Sequence, residues 1–401
     1  MRDLSSLEGG GKLPKTTELK FLNPDENPRI PVYRVLARNG HLLQGASPPS
    51  LDKTELLEMY HQMVTLNIMD TALNVAERQG LIPFYLTNFG EEATQIGSAS
   101  AVKFEDFVFG QYRETGVLLW RGFRLEDFAN QCFNNDLDGT KGRQMPVHYG
   151  SKEHNFMTIS STLATQMPQA AGAAYAMKMS KSENCVVCYF GEGTTSEGDA
   201  HAAFNFAAVL KCPVIFFCRN NGFAISTPAS EQYSGDGVAS RGAGYGIPSI
   251  RVDGNDVLAV YNVTKVAREI CVSESRPVLI EAMTYRVGDH STLVDSSGYR
   301  HADDVSTWDT RFNPITRFKK YLLDNDIWDE EREETFKQSV IRDVEDALRG
   351  AQERKYCNPT EMFTDVYNVM PKNLEKQHKE FKEHLQKYQH EYDLEKFHPD
   401  I

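Results

Sequence analysis

The sequence predicts an α/β fold: a doubly wound, mainly parallel sheet with helices on both faces, an extended N-terminal arm and a helical C-terminal region. Three observations carry this. CVVCYF (185–190), PVIFFC (213–218) and PVLIEAMTYR (277–286) are largely apolar without an alternating polar face, as strands covered on both sides require. Segments of helical periodicity separate such runs. The composition, 40% hydrophobic and 25% charged over 401 residues, suits a globular chain with a sizeable core.

The elements follow in order. Residues 1–50 carry Gly and Pro with few periodic apolar positions and read as an extended arm that orders on a partner surface, with one short strand within Ile30 to Leu36. From Leu51 the spacing of Leu56, Leu57, Tyr60, Met63, Val64, Asn67 and Ile68 predicts a helix, capped by Ser50 or Asp52 and ended by Gly80. Phe107–Gly110 is a short strand, and Ser161 to Lys178 an Ala-rich helix whose small residues permit close packing. After the strand at 185–190 come a helix (Glu197 to Leu210), the strand at 213–218, a strand (249–254), a helix (Val257 to Val272) and the strand at 277–286. These place an α/β domain over 51–306. The region 307–401 is helical, with amphipathic stretches at Ile315–Asp324 and Glu330–Arg349 and a charged helix after Pro371. Right-handed crossovers bring every strand C-terminus to one sheet edge, where ligands bind.

Forty-three basic against fifty-six acidic residues leave a net charge of −13, which argues against nucleic acid as a partner. Mean hydropathy is −0.47, and apolar runs fall far short of the ~20 residues a membrane-spanning helix needs. Seven scattered cysteines do not form a disulfide framework and point to a reducing compartment. Cys185 and Cys188 form a CxxC inside a strand, without a second ligand pair, and read as core thiols. The segment MRDLSSLEGGGKLPKTTE has neither an apolar signal core nor an Arg-rich import helix, so the expectation is a cytosolic chain or a processed form.

The chemistry concentrates in YFGEGTTSEGDAHAAFNFAAVLKCPVIFFCRNNGFAIS. Gly191-Glu192-Gly193 lies between a strand and a helix, and Gly191-x-Gly193-x-x-Ser196 falls one residue short of a dinucleotide fingerprint. Glu192 opposes that reading, because it sets a carboxylate against a pyrophosphate unless a divalent cation lies between. Magnesium suits that role. Asn221, twenty-nine positions on at the next strand tip, offers an amide oxygen, and a main-chain carbonyl just after Gly222 a third donor. The arrangement resembles the G-D-G…N-N motif of thiamin-diphosphate enzymes, with Glu for Asp.

The words FGQYRETG (109–116), GRQMPVHYG (142–150), ISSTLATQMPQAAGAAYA (159–176), RNNGFAISTPASEQYSGDG (219–237) and YRVGDHSTLVDSSGYR (285–300) occur in this order. With the arm and the tail, they make the chain resemble the alpha subunits of the branched-chain 2-oxoacid dehydrogenases. The resemblance covers nearly the whole chain. It implies a thiamin-diphosphate-binding fold, with Glu192, Asn221 and the Phe223 carbonyl as magnesium ligands; Phe223 stands where the family commonly has Tyr. By the same match Tyr112, Arg113 and Arg219 hold the diphosphate, and Ser161, Leu163, Gly193 and Thr194 make further cofactor contacts. Ser160, Thr162, Thr165 and Gln166 form a potassium site, although Thr162 replaces the usual Pro.

His290 is the catalytic and cofactor-contacting residue the resemblance implies; alone it reads as an ordinary solvated loop histidine. Asp289 replaces a usual histidine and is expected to raise the pKa of His290. Ser291 matches a regulatory phosphoserine, while His301 occupies the second phosphosite. Gln111, Tyr112 and Leu163 line the implied substrate pocket. The implied reaction is decarboxylation of a branched 2-oxo acid with acyl transfer to a lipoyl arm. A beta subunit in an alpha2beta2 assembly contributes the missing glutamate, a lipoyl-bearing acyltransferase core takes the product, and a regulatory kinase and phosphatase act on Ser291. The mitochondrial matrix is the implied compartment. A pyruvate-type alpha subunit, an NAD(P)-dependent oxidoreductase and a non-catalytic subunit are the alternatives.

Overall fold

The computed structural model describes residues 16–291 and 294–398. The first fifteen residues of the expected arm, and residues 292 and 293 of the histidine loop, lie outside the described residues. Nine strands occur among the described residues: β1 (Val32–Tyr33), β2 (Phe107–Phe109), β3 (Phe156–Met157), β4 (Val186–Gly191), β5 (Val214–Asn220), β6 (Phe223–Ala224), β7 (Thr227–Pro228), β8 (Ser249–Asp253) and β9 (Val278–Met283). The helices are α1 (Lys53–Arg78), α2 (Glu92–Ser100), α3 (Thr115–Trp120), α4 (Leu125–Phe133), α5 (Gln166–Met179), α6 (Gly198–Leu210) and α7 (Ala229–Gln232). After them come α8 (Arg241–Tyr245), α9 (Val257–Glu274), α10 (Ala302–Thr310), α11 (Pro314–Asp324), α12 (Glu330–Gln352) and α13 (Lys372–Lys387).

Seven strands form one sheet in the order β1-β8-β9-β5-β4-β2-β3, and every pairing is parallel. The predicted α/β class is the observed one. Strand residues alternate between two apolar layers. Val187, Tyr189, Ile215, Phe217 and Ile280 face α1, α2 and α9, whereas Val186, Cys188, Phe190, Phe216 and Leu279 face α5 and α6. Cys185 and Cys188, three residues apart in an extended segment, therefore face opposite layers, and both thiols are free and fully buried. The CxxC is core, as its strand context indicates.

Local signals set the element ends. Asp52 caps α1: its carboxylate accepts the Glu55 N–H at 2.9 Å, while the Glu55 carboxylate accepts the Asp52 N–H at 2.8 Å. The Ala-rich helix starts at Gln166 rather than Ser161, because Ala164 adopts φ +68° and breaks any earlier helical turn. The last strand ends at Met283 rather than Arg286; beyond it Thr284 and Arg286 donate their N–H groups to the Asn220 and Asn221 carbonyls.

The arm joins the body from Val32. Val35 and Leu36 are fully buried, and the Asp256 carboxylate accepts both of their N–H groups at 2.7 and 2.6 Å. The C-terminal helices share the main core: Phe318, Leu322, Trp328, Val340 and Val344 pack with α1. Buried Glu333 accepts from the Tyr60 hydroxyl at 2.8 Å and the Trp328 indole at 2.7 Å. Among the described residues no helix is long and apolar enough to cross a membrane.

Candidate active site

The parallel register brings the C-terminal ends of β2, β4, β5 and β9 to one rim. Gly191 pairs with Arg219 and Asn220 with Met283, so Glu192 and Asn221 leave neighbouring strands side by side. A main-chain hydrogen bond from Asn221 reaches the Glu192 carboxylate. Glu192 is only 1% exposed, and its Oε1 has no hydrogen-bond partner among the described residues. Burial pushes its pKa up to about 7, with the Glu91 charge adding to the rise. A buried, unpartnered carboxylate oxygen beside an amide side chain is a donor set that suits a hard cation.

Gln111 braces this turn from β2. Its Oε1 accepts the Gly191 N–H at 2.9 Å and the Thr194 hydroxyl at 2.7 Å. At Gly193 the chain runs so close to β6 that an added Cβ would stand 2.4 Å from the Ala224 Cβ. Phe223, in the same hairpin, donates its N–H to the Asn221 amide oxygen at 3.3 Å.

Arg219 projects from the end of β5 into a carboxylate clamp. Its Nη1 lies 2.5 Å from Glu91 and its Nη2 2.7 Å from Glu114, and all three side chains are at most 1% exposed. Burial opposes the guanidinium charge, but Glu114 and Glu91 outweigh that and hold its pKa above the ordinary arginine value. Glu114 also accepts the N–H groups of Gln111 and Tyr112 at 2.7 and 2.8 Å, which shapes the turn after β2.

Arg113 and Arg286 have a different environment. Arg113 donates to the Thr87 carbonyl at 2.6 Å and to the His290 carbonyl. Arg286 donates to the Ile225 carbonyl at 2.8 Å and the Tyr299 hydroxyl at 2.7 Å. Neither is ion-paired with a carboxylate among the described residues. Burial and then the Arg113 charge push the Arg286 pKa down to about 10. Two buried cations without a directly paired carboxylate create a field that favours an anion.

His290 sits between them. Its Nδ1 is 3.5 Å from an Nη of each arginine, so Nδ1 is the acceptor and Nε2 carries the proton. Burial, then Arg113 and Arg286, push its pKa down to about 3. The expectation that Asp289 raises this pKa is therefore corrected. The Asp289 carboxylate turns away to the Ser296 hydroxyl and lies 3.8 Å from Arg300, while two guanidinium groups face the imidazole. The Tyr112 ring meets His290 edge-on, centroids 6.2 Å apart. Ser291 is buried in the wall of a cavity of about 760 Å³ that Thr87, Asp289, Arg300 and His301 also line.

The loop before α5 is less closely tied to this cluster. Ser160, Ser161 and Thr162 are exposed and Leu163 is half-buried. No side-chain hydrogen bond joins Ser160 or Ser161 to the rim among the described residues. The Thr162 carbonyl accepts the Thr165 hydroxyl at 2.9 Å. Gln166 is buried and donates to the Tyr189 carbonyl at 3.1 Å, which leaves its Oε1 without a partner. Among the described residues no three His, Cys, Asp or Glu side chains gather as a metal centre.

Sequence reasoning missed Glu91, Glu114 and Arg286. The available signal was Arg219 itself, since an arginine ending an otherwise apolar strand requires buried counter-charges. Glu91 and Glu114 stand in FGEEATQ and YRETG, at two further candidate turns.

A family model described as dehydrogenase E1 component matches residues 60–360. The chain is 55% identical over 380 residues to the human 2-oxoisovalerate dehydrogenase subunit alpha, mitochondrial, covering 95% of this chain and 85% of that protein. The Mus musculus protein of the same name is 54% identical over 380 residues, covering 95% and 86%. Subunit alpha 1 from Arabidopsis thaliana, also named mitochondrial, is 51% identical over 383 residues, covering 96% and 81%. With three quarters of its length inside that family model and such relatives beside it, the chain belongs to the dehydrogenase E1 component family.

Proposed function

We propose that this chain is the alpha subunit of a mitochondrial branched-chain 2-oxoacid dehydrogenase and acts on 3-methyl-2-oxobutanoate and related 2-oxo acids together with a beta subunit. The observation that carries the site reading is the pairing of buried Glu192, whose Oε1 has no hydrogen-bond partner among the described residues, with two buried arginines that are not ion-paired with a carboxylate among them, Arg113 and Arg286. That combination fits a diphosphate bridged to the protein by magnesium. Glu192, Asn221 and the Phe223 carbonyl would hold the cation. Tyr112, Arg113, Arg219 and His290 would hold the diphosphate, with Ser161, Leu163, Gly193 and Thr194 as further contacts. Gln166, with its unpartnered oxygen, and Ser160, Thr162 and Thr165 are the proposed potassium site.

Thiamin diphosphate supplies, when bound, the nucleophilic carbon that makes loss of carbon dioxide from a 2-oxo acid accessible. The residues of this chain orient and protect. The Glu91–Arg219–Glu114 clamp holds Arg219 rigid, so it pays no ordering entropy on binding an anion. His290 offers its Nε2–H as a neutral donor at pH 7, able to stabilise developing negative charge without bringing a third full cation beside the two arginines. Gln111, Tyr112 and Leu163 would face the substrate's branched side chain. A lipoyl-bearing acyltransferase core would receive the acyl group. Phosphorylation of Ser291 by a kinase, reversed by a phosphatase, would set a dianion next to His290 and disrupt the loop. The arm (1–50), the α/β domain (51–306) and the helical region (307–401) are the proposed division of labour.

Co-expression with a matching beta chain tests this reading. Carbon dioxide release from 3-methyl-2-oxobutanoate should require thiamin diphosphate and magnesium and exceed that from pyruvate. Release independent of both, or cofactor-dependent release with His290→Ala as active as the parent, refutes it. Enhanced fluorescence of reduced nicotinamide on binding would instead favour the dinucleotide alternative.

A further inference from the structure

We infer that Glu91 is a positioning residue that selects the orientation of the Asn221 amide and so creates the second donor of the cation site. This inference rests on the proposed role of Glu192 and Asn221 as cation ligands. Glu91 stands at the N-cap of α2, yet its side chain makes no capping bond. Both carboxylate oxygens point to the rim instead: Oε1 accepts the Asn221 Nδ2 at 2.8 Å and Oε2 accepts the Arg219 Nη1 at 2.5 Å. A carboxylate only accepts hydrogen bonds. The amide nitrogen of Asn221 must therefore face Glu91, and its oxygen must face away, where it meets the Phe223 N–H with acceptor capacity remaining.

An amide flipped by 180° would present N–H to a cation and repel it. A neutral acceptor-donor at position 91 would tolerate either orientation, whereas a carboxylate tolerates one. The backbone beneath Glu91 is pinned accordingly. Gly90 has φ +90°, and a Cβ there would stand 2.3 Å from the Tyr285 carbonyl, so no other residue type lets this turn press against the segment after β9. The Thr284 hydroxyl donates to the Gly90 carbonyl at 2.9 Å from the other side. Arg219 is held by Glu114 as well, whereas the Asn221 amide nitrogen has Glu91 as its acceptor among the described residues, and the 2.8 Å bond to Glu91 is shorter than the 3.3 Å contact from the Phe223 N–H to the amide oxygen.

The test measures cation binding rather than turnover. The chain co-purified with its beta subunit is titrated with Mn²⁺ in the presence of thiamin diphosphate, and free Mn²⁺ is read by electron paramagnetic resonance. Glu91→Gln should raise the Mn²⁺ dissociation constant at least about tenfold, and Glu91→Asp, which keeps an acceptor-only group, should recover part of that loss. A merely structural role would move the melting temperature of the cation-free protein without this pattern. Equal Mn²⁺ affinity in Glu91→Gln and parent overturns the inference alone. Absence of Mn²⁺ uptake by the parent overturns the underlying ligand assignment. If Glu91→Gln does not fold, Glu91→Asp decides: weaker uptake than the parent supports the inference and unchanged uptake overturns it.

Discussion

Replacing Arg219 by Met removes the guanidinium that bridges two carboxylates with no access to water. Arg219 reaches Glu91 at 2.5 Å and Glu114 at 2.7 Å, and none of the three side chains is more than 1% exposed. Breaking a buried ion pair from one side costs about 3–5 kcal/mol, because the abandoned charge cannot be resolvated. Here two like charges are abandoned together, which places the expected loss at the upper end of that range, about 5 kcal/mol at pH 8. The loss must depend on pH. Without Arg219, one carboxyl takes up a proton in the folded protein at a raised pKa, so the native state binds more protons than the unfolded state and the variant's stability falls as pH rises through that raised pKa. Urea unfolding of the cofactor-free protein, followed by circular dichroism at pH 6 and pH 8, measures both effects. A triple variant that adds Glu91→Gln and Glu114→Gln removes the stranded charges and should recover more than half of the lost stability. A loss under about 1 kcal/mol at pH 8, or a triple variant no more stable than the single one, refutes the electrostatic account.

Three further outcomes are expected. Because burial holds Glu192 at about 7 before a cation arrives, magnesium binding should release about one proton at pH 6 and almost none at pH 8.5, with affinity falling about tenfold per pH unit below 7; calorimetry in buffers of different ionisation enthalpy reads this. His290 titrates near 6.5 when unfolded and at about 3 when folded, so its contribution to stability is complete above pH 6.5 and is lost as pH falls toward 3; His290→Gln should flatten that part of the acid-unfolding profile. Gly193→Ala should lower stability by about 1–3 kcal/mol through overpacking against the Ala224 Cβ at 2.4 Å, and Ala224→Gly in the same chain should restore it, as thermal unfolding would show.

The short-range features of this protein were legible before its structure. Apolar runs without a polar face identify β4, β5 and β9, and the start of α1 was narrowed to a cap at Ser50 or Asp52, of which the structure uses Asp52. Elements that bury small or polar residues escaped such reading. α2 is the sequence EATQIGSAS, nearly all of it buried, with no amphipathic contrast to reveal it. The two-residue β3 and the β6–β7 hairpin are too short to show periodicity.

For the site, sequence alone determined that Glu192 and Asn221 share a rim, because consecutive parallel strands must bring their ends to one side of the sheet. It could not determine which charges neutralise one another. Arg219 meets Glu91 across 128 positions and Glu114 across 105, while the adjacent Asp289 leaves His290 to two arginines. Periodicity and spacing describe what a segment does with its own neighbours. The protonation state of a buried group depends on whatever the tertiary fold places within a few ångströms, at strengths that burial multiplies, and only the three-dimensional arrangement decides that.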